Sequence, residues 1–325
     1  MARVDIKRIL RSKLMALVVI IVIVSIFFTI MNKNFMSLGN LAGIMTAVSL
    51  AGIFAVGIVP LLISGHVDLA SGTEGCMAGV FIALIMAHGI PWQLAIVITI
   101  VFGCVMGLFN AFLVNKLGFM AFIATIGMSS IYKGLSLTIT GGANVSILEK
   151  GNEGFYALGK SIGIFPVAFI IMVALMIVYS IILKFTKFGR SIYLCGGNAA
   201  AARLTGVNPK KVSTILFINC GAICSLGGAL FSARMHMGIP NAVFGTEMDS
   251  IAAAVLGGVS FMGGSGGLGG AFIGLILVNV FNNGITAIGL PTYWQIVAQG
   301  AILITALLVD YFGEKSRLRA LKAVQ

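Results

Sequence analysis

Long charge-free apolar stretches succeed one another along this chain, separated by short polar or glycine-rich breaks, and each predicts a helix that crosses a bilayer. The first runs from Leu14 to Met31 and the second from about Ile44 to Ile63, with Pro60 near its end. After a break at Ser64–Gly75, no Asp, Glu, Lys or Arg occurs until Lys116. His88-Gly89-Ile90-Pro91-Trp92 divides that stretch into spans three and four. Span five covers about Phe119–Thr140, and span six Phe165–Leu183 follows a polar loop with Glu149, Lys150, Glu153 and Lys160. A basic loop then fills Lys184–Lys211, and span seven runs from Val212 to Ala233. From Ser250 to Val309 there is again no formal charge; glycine clusters and Pro291 divide it into a short span eight, span nine near Ala271–Ile288 and span ten near Tyr293–Val309. The expectation is an all-α membrane protein of about ten transmembrane helices, one permease-like domain over 1–325.

Composition narrows the class. Of the 325 residues 59% are hydrophobic and only 9% charged, and mean hydropathy is +1.10. Soluble globular domains carry about 25% charged residues, which excludes a soluble domain and leaves no room for a separate catalytic one. The net charge of +12 is concentrated. Arg3, Lys7, Arg8, Arg11 and Lys13 precede the first span, Lys184, Lys187, Arg190, Arg203, Lys210 and Lys211 fill the basic loop, and Lys315, Arg317, Arg319 and Lys322 form the tail. Basic residues beside spans mark the cytoplasmic side, so this charge argues for a membrane and not for nucleic acid. An even span count independently puts both termini on one side, the cytoplasmic one. Trp92 and Trp294, each shortly after a proline at an outer span start, suit an interfacial aromatic belt. The first span follows a basic N-terminus as a signal peptide would, but it is long enough to cross and no small-x-small cleavage site follows, so an uncleaved helix is expected.

Glycines spaced four apart (Gly39/Gly43, Gly75/Gly79, Gly103/Gly107, Gly270/Gly274) predict close helix packing. An internal echo links Gly72-Thr73-Glu74 with Gly245-Thr246-Glu247, and Asn110 with Asn279. An offset of five spans reverses orientation, so spans 2–5 and 7–10 would form an inverted repeat of the kind transporters use.

Three segments are candidates for function. Ser64-Gly65-His66-Val67-Asp68-Leu69-Ala70-Ser71-Gly72-Thr73-Glu74-Gly75 reads as a broken helix lining a hydrophilic path, or as a short cytoplasmic turn whose acids are merely solvated, or as a structural pairing with Lys133. Gly263-Gly264-Ser265-Gly266-Gly267-Leu268-Gly269-Gly270 contains G-x-G-x-x-G, but it has neither a βαβ context nor an acid before Asp310, so it reads as a tight turn between packed spans. In the basic loop, Asn198 is a helix N-cap, Ala199–Arg203 favour helix, and Gly206 then Pro209 end it. A helix that short needs something to dock on. The five cysteines, Cys220 and Cys224 on one face among them, read as small buried side chains, with no histidine or acid near that pair for a metal site.

These pieces together resemble the permease subunit of bacterial monosaccharide ABC importers, the ribose/xylose/arabinose type of the branched-chain amino acid/sugar permease superfamily. The matching residues are Gly65-His66-Val67-Asp68-Leu69 (family pattern Gly-x-Ile-Asp-Leu-Ser-Val-Gly-Ser), Phe122-Ile123-Ala124-Thr125-Ile126-Gly127, Gly196-Gly197-Asn198 through Ala201-Ala202-Arg203-Leu204-Thr205-Gly206-Val207, Asp249-Ser250-Ile251-Ala252-Ala253-Ala254-Val255-Leu256-Gly257-Gly258 and Tyr293-Trp294-Gln295. They occur in the family's order over about 40–312. Ala70-Ser71 replaces the usual Ser-Val, and Ala199 replaces a usual Glu. The resemblance implies a multi-pass subunit of the bacterial cytoplasmic (inner) membrane with no cofactor of its own. Its partners would be a cytosolic ATPase that binds ATP and magnesium, an extracytoplasmic sugar-binding protein, membrane lipid and a second permease copy or paralogue. Asn198, Ala202, Arg203, Leu204, Gly206 and Val207 would form the ATPase coupling segment of the 184–211 loop. A neutral sugar needs weak hydroxyl and amide partners, for which Ser64, Thr73, Asn110, Thr125, Asn279, Asn282 and Asn283 are candidates, and His66, Asp68 and Glu74 are further candidates for the substrate path. The alternatives are an ion-coupled secondary transporter, a permease of the same superfamily for branched-chain amino acids or nucleosides, and a membrane enzyme, for which no catalytic constellation is evident.

Overall fold

The computed structural model describes residues 13–147, 151–243, 245–291, 293–305 and 308. The basic clusters at the two ends, Lys13 excepted, and the far end of span ten lie outside the described residues, as do Glu149 and Lys150.

Most of the described chain is helical. Helices α1 (Lys13–Met31), α2 (Leu38–Ile63), α3 (Ser71–Ala87), α4 (Trp92–Ala111) and α5 (Ala121–Thr140) form the first half; a π-turn, Phe112–Lys116, extends α4. A small cap follows, with β1 (Val145–Ser146), α6 (Glu153–Gly159), β2 (Ser161–Ile162) and β3 (Phe165–Pro166). Helix α7 (Val167–Phe185) leads into the basic loop, folded as α8 (Lys187–Gly197) and α9 (Ala199–Leu204). Then come α10 (Pro209–Met235), β4 (Met237–Gly238), α11 (Thr246–Leu256), α12 (Leu268–Ala287) and α13 (293–305). Strand β1 pairs antiparallel with β4, and β2 with β3. Seven of these helices are long and apolar enough to cross a membrane; α3 is apolar but shorter.

The apolar pattern explains which helices lie where. Helix α2 is the hub, with every residue from Ile53 to Ile63 buried. The outward faces of α1, α4, α5 and α7 instead expose large apolar side chains such as Ile23, Val101, Ile123 and Ile177, which suits lipid as solvent. Helix α10 packs on α2, α3 and α4, while α2 also packs on α7, α11 and α12.

Three of the four glycine pairs do what their spacing predicts. A Cβ on Gly107 would meet the Phe217 carbonyl of α10, one on Gly79 would sit 2.7 Å from the Ser232 hydroxyl, and one on Gly274 would meet the Ala253 carbonyl of α11. Gly39 and Gly43 differ, with open space around both among the described residues.

Two expectations are corrected. The break after α2 is shorter than Ser64–Gly75: helix resumes at Ser71, so Gly72, Thr73, Glu74 and Gly75 are helical. Their glycines secure close approach to Glu247 and to the Phe54 ring, and that packing outweighs glycine's weak helix propensity. The basic loop also holds one helix more than expected, α8, capped by the Thr186 hydroxyl accepting from the Gly189 N–H.

Because Gly107 meets backbone, which cannot swing aside, Gly107→Leu should destabilise the purified protein by roughly 1–3 kcal/mol. Gly43→Ala should leave it unchanged. Thermal unfolding in detergent reads both.

Candidate functional site

Helix α2 ends at Ile63 and α3 starts at Ser71; the backbone between them is irregular, exposed at Gly65, half-buried at His66 and buried from Val67 to Ala70. Gly65 turns the chain with φ +83°, a conformation side chains resist. The His66 N–H donates to the Leu61 carbonyl (3.0 Å), and the Leu69 N–H donates to the Thr125 hydroxyl of α5 (3.1 Å). The Ala70 N–H donates to Asp68 Oδ1 (2.9 Å), and the Ser71 hydroxyl donates to the Asp68 carbonyl (3.1 Å). Freed backbone groups thus find partners, as irregular chain inside a bundle must.

Behind the break lies a sealed polar cluster. Asp68, Glu74 and Asn110 are each 0% exposed. One amide serves both acids: Asn110 Nδ2 donates to Glu74 Oε1 (2.9 Å) and to Asp68 Oδ2 (3.3 Å). The Tyr132 hydroxyl donates to the Met106 carbonyl (2.9 Å) and to Asn110 Oδ1 (3.2 Å), fixing the amide's orientation. Glu74 Oε2 has no hydrogen-bond partner among the described residues. Both acids sit at the N-terminal end of α3, where the helix dipole favours negative charge. The cluster ties the break to α3, α4 and α5.

Towards the basic loop a cavity of about 590 Å³ opens, lined among others by His66, Asn115, Phe122, Arg203, Lys210 and Ser213. Its size is within the roughly 300–1,000 Å³ of small-molecule sites. The candidate path residues therefore divide. His66 lines this cavity; Ser64, Asp68, Thr73, Glu74, Asn110 and Thr125 are buried around the break. Asn279 and Asn282 stand on α12, which packs on α1, α2 and α11, and Asn279 donates to the Leu275 carbonyl of its own helix. Asn283 accepts from Asn40 (2.9 Å).

The loop segment is built as its sequence indicates. Asn198 caps α9, its side chain accepting from the Ala200 and Ala201 N–H groups (both 3.0 Å). Ala202 is buried and anchors the helix, Val207 is half-buried, and Arg203 faces the cavity. Leu204 projects, 90% exposed, and Gly206 ends the segment at φ +82°. Helix α8 reaches the break directly: a Cβ on Gly196 would meet the Ile63 carbonyl, which also accepts from the Gly264 N–H (2.8 Å). The glycine-rich turn is thus a packing element, wedged between the end of α2 and the end of α8.

Sequence reasoning missed Tyr132, Asn115 and this three-way contact. Tyr132 could have been suspected from its spacing of seven residues from Thr125 on α5, one face of the helix; the contact had no local signal.

A multi-pass bundle with a buried helix break, a cavity at one end and an exposed short helix beside it defines a membrane transport subunit. The family described as branched-chain amino acid transport system / permease component matches residues 40–307, and the chain belongs to it. Over 303 residues it is 33% identical to the ribose import permease protein RbsC of Escherichia coli K12, covering 92% of this chain and 93% of that protein. It is 32% identical over 298 residues to the RbsC of Bacillus subtilis 168, covering 91% of each. It is also 33% identical over 312 residues to the galactose/methyl galactoside import permease protein MglC of E. coli K12, covering 90% and 92%. No solved structure matches.

Replacing Asn110 by Ala leaves two buried carboxyl groups without their shared donor. A loss of about 1–3 kcal/mol of stability is expected, read by thermal unfolding, with Asn110→Gln recovering part of it.

Proposed function

We propose that this chain is the membrane-spanning permease subunit of an ATP-driven importer of a monosaccharide, of the ribose or galactose kind. The observation that carries this is similarity to sugar import permeases over nine-tenths of the chain, joined to a cavity that suits a neutral polyol. The cavity's lining offers hydroxyl, amide, imidazole and cationic groups but no carboxylate. A branched-chain amino acid would need an acceptor for its ammonium group there; a sugar does not.

In this reading ten helices cross the membrane, with both termini and the basic loop cytoplasmic, as the clustered cations favour. The packing supports an inverted repeat: α2 lies on α11 and α12 of the second half, while α10 lies on α3 and α4 of the first. The two echoed motifs meet, Glu247 lying directly over Gly72. The chain needs no cofactor of its own; a cytosolic ATPase binds ATP and magnesium, docks on Leu204 and its neighbours, and drives a second permease copy or paralogue in the same complex. An extracytoplasmic sugar-binding protein supplies substrate and the high affinity. ATPase closure pushes α9, the push passes through α8 and Gly196 to the break at Ile63–Ala70, and the path alternates.

The rival with an observation behind it is an ion-coupled carrier, since Asp68 and Glu74 form a buried acid pair. Uptake of labelled ribose or galactose into cells decides between them. It should stop when ATP is depleted and persist under a proton uncoupler; the reverse supports the carrier. Proline cannot adopt the φ of Gly206, so Gly206→Pro should abolish uptake and ATPase stimulation while the protein still inserts. Normal uptake by that variant refutes the coupling role.

A further inference from the structure

At the basic end, α7, α8 and the start of α12 enclose a cavity of about 440 Å³ lined by Lys184, Arg190, Tyr193 and Gly269. A second cavity of about 340 Å³ continues from it along α7, sharing Ser180, Lys184, Leu268 and Gly269 and lined further by Val173, Ile177 and Phe272. Together they make a groove, cationic at one end and apolar along its length. Ile177 and Ile181, beside it, are about half exposed, so this face of α7 meets lipid tails. The Tyr193 hydroxyl is already committed to the Gly266 carbonyl (2.8 Å), which leaves the two cations as the groove's charged groups. The sequence has no Asp or Glu between Glu153 and Glu247, so neither cation has an acidic neighbour along that stretch.

From this we infer that the groove holds one anionic glycerophospholipid. Its phosphate sits between Lys184 and Arg190, and an acyl chain lies along Ile177 and Phe272. The charge order selects this occupant. A membrane-facing apolar groove is filled by acyl chains in any case, but only a lipid with a net negative headgroup leaves the two cations balanced. The bound lipid splints α7 and α12 to α8, the helix through which the proposed push from α9 reaches the break. Its leaflet is the cytoplasmic one if the basic loop lies inside as proposed; that placement is tested separately, by thiol labelling of a cysteine introduced at Ala200.

Native mass spectrometry of the full chain, purified and supplied with phosphatidylglycerol, phosphatidylethanolamine or inorganic phosphate, tests the inference without reference to transport. The wild type should retain phosphatidylglycerol in preference to phosphatidylethanolamine, and phosphate should not displace it. Removing both cations, in Lys184→Gln/Arg190→Gln, should weaken retention roughly 30-fold. Lys187→Gln/Lys211→Gln, which removes equal charge from the same loop outside the groove, should not. Gly269→Phe keeps both charges, and its Cβ enters open space, so it should fold and still lose the lipid by filling the groove. Equal retention of both phospholipids, equal loss in the control pair, displacement by phosphate, or full retention by Gly269→Phe would each overturn the site.

Discussion

One backbone carbonyl, that of Ile63, holds the architecture together. It ends a helix inside a bundle, where an unpaired carbonyl costs several kcal/mol because no water is at hand. Gly264 supplies the missing N–H at 2.8 Å, and Gly196 comes close enough to press α8 against the same point. Any side chain on Gly196 would collide with that carbonyl. The helix break, the glycine-rich turn and the basic loop therefore meet at one point although they are far apart in sequence.

The sealed acids fit this junction better than an open pathway. Asp68 and Glu74 are fully buried and share one donor, the side-chain amide of Asn110, whose oxygen accepts from the Tyr132 hydroxyl. Such a network fixes the break relative to α3, α4 and α5 while the other side of the break faces a cavity. A rigid wall on one side and a lever on the other is what a segment needs to move as a body.

Much of this was legible in the chain itself. The positions of the long apolar helices followed from charge-free length, because the bilayer requires about twenty apolar residues per crossing. The α9 cap was readable because Asn198, Gly206 and Pro209 act locally. The break's extent was not, because glycine at Gly72 and Gly75 signals loop by propensity and close packing by context, and only the approach of Glu247 and Phe54 decides between them. Gly39 and Gly43 show the converse: packing spacing without a packed neighbour among the described residues. The union of Ile63, Gly196 and Gly264 leaves no trace in any local window, since each residue's partner lies in a different third of the sequence. Asn110 and Asp68 were both candidates, yet nothing local said that one amide would serve two acids.

The most direct measurement is amide hydrogen exchange on the chain assembled with its ATPase, with and without ATP. If the lever and the break are one unit, protection of 196–206 and of 63–70 changes together in the same nucleotide state. If 196–206 responds while 63–70 exchanges at an unaltered rate, the mechanical link through Ile63 is absent and the account is wrong.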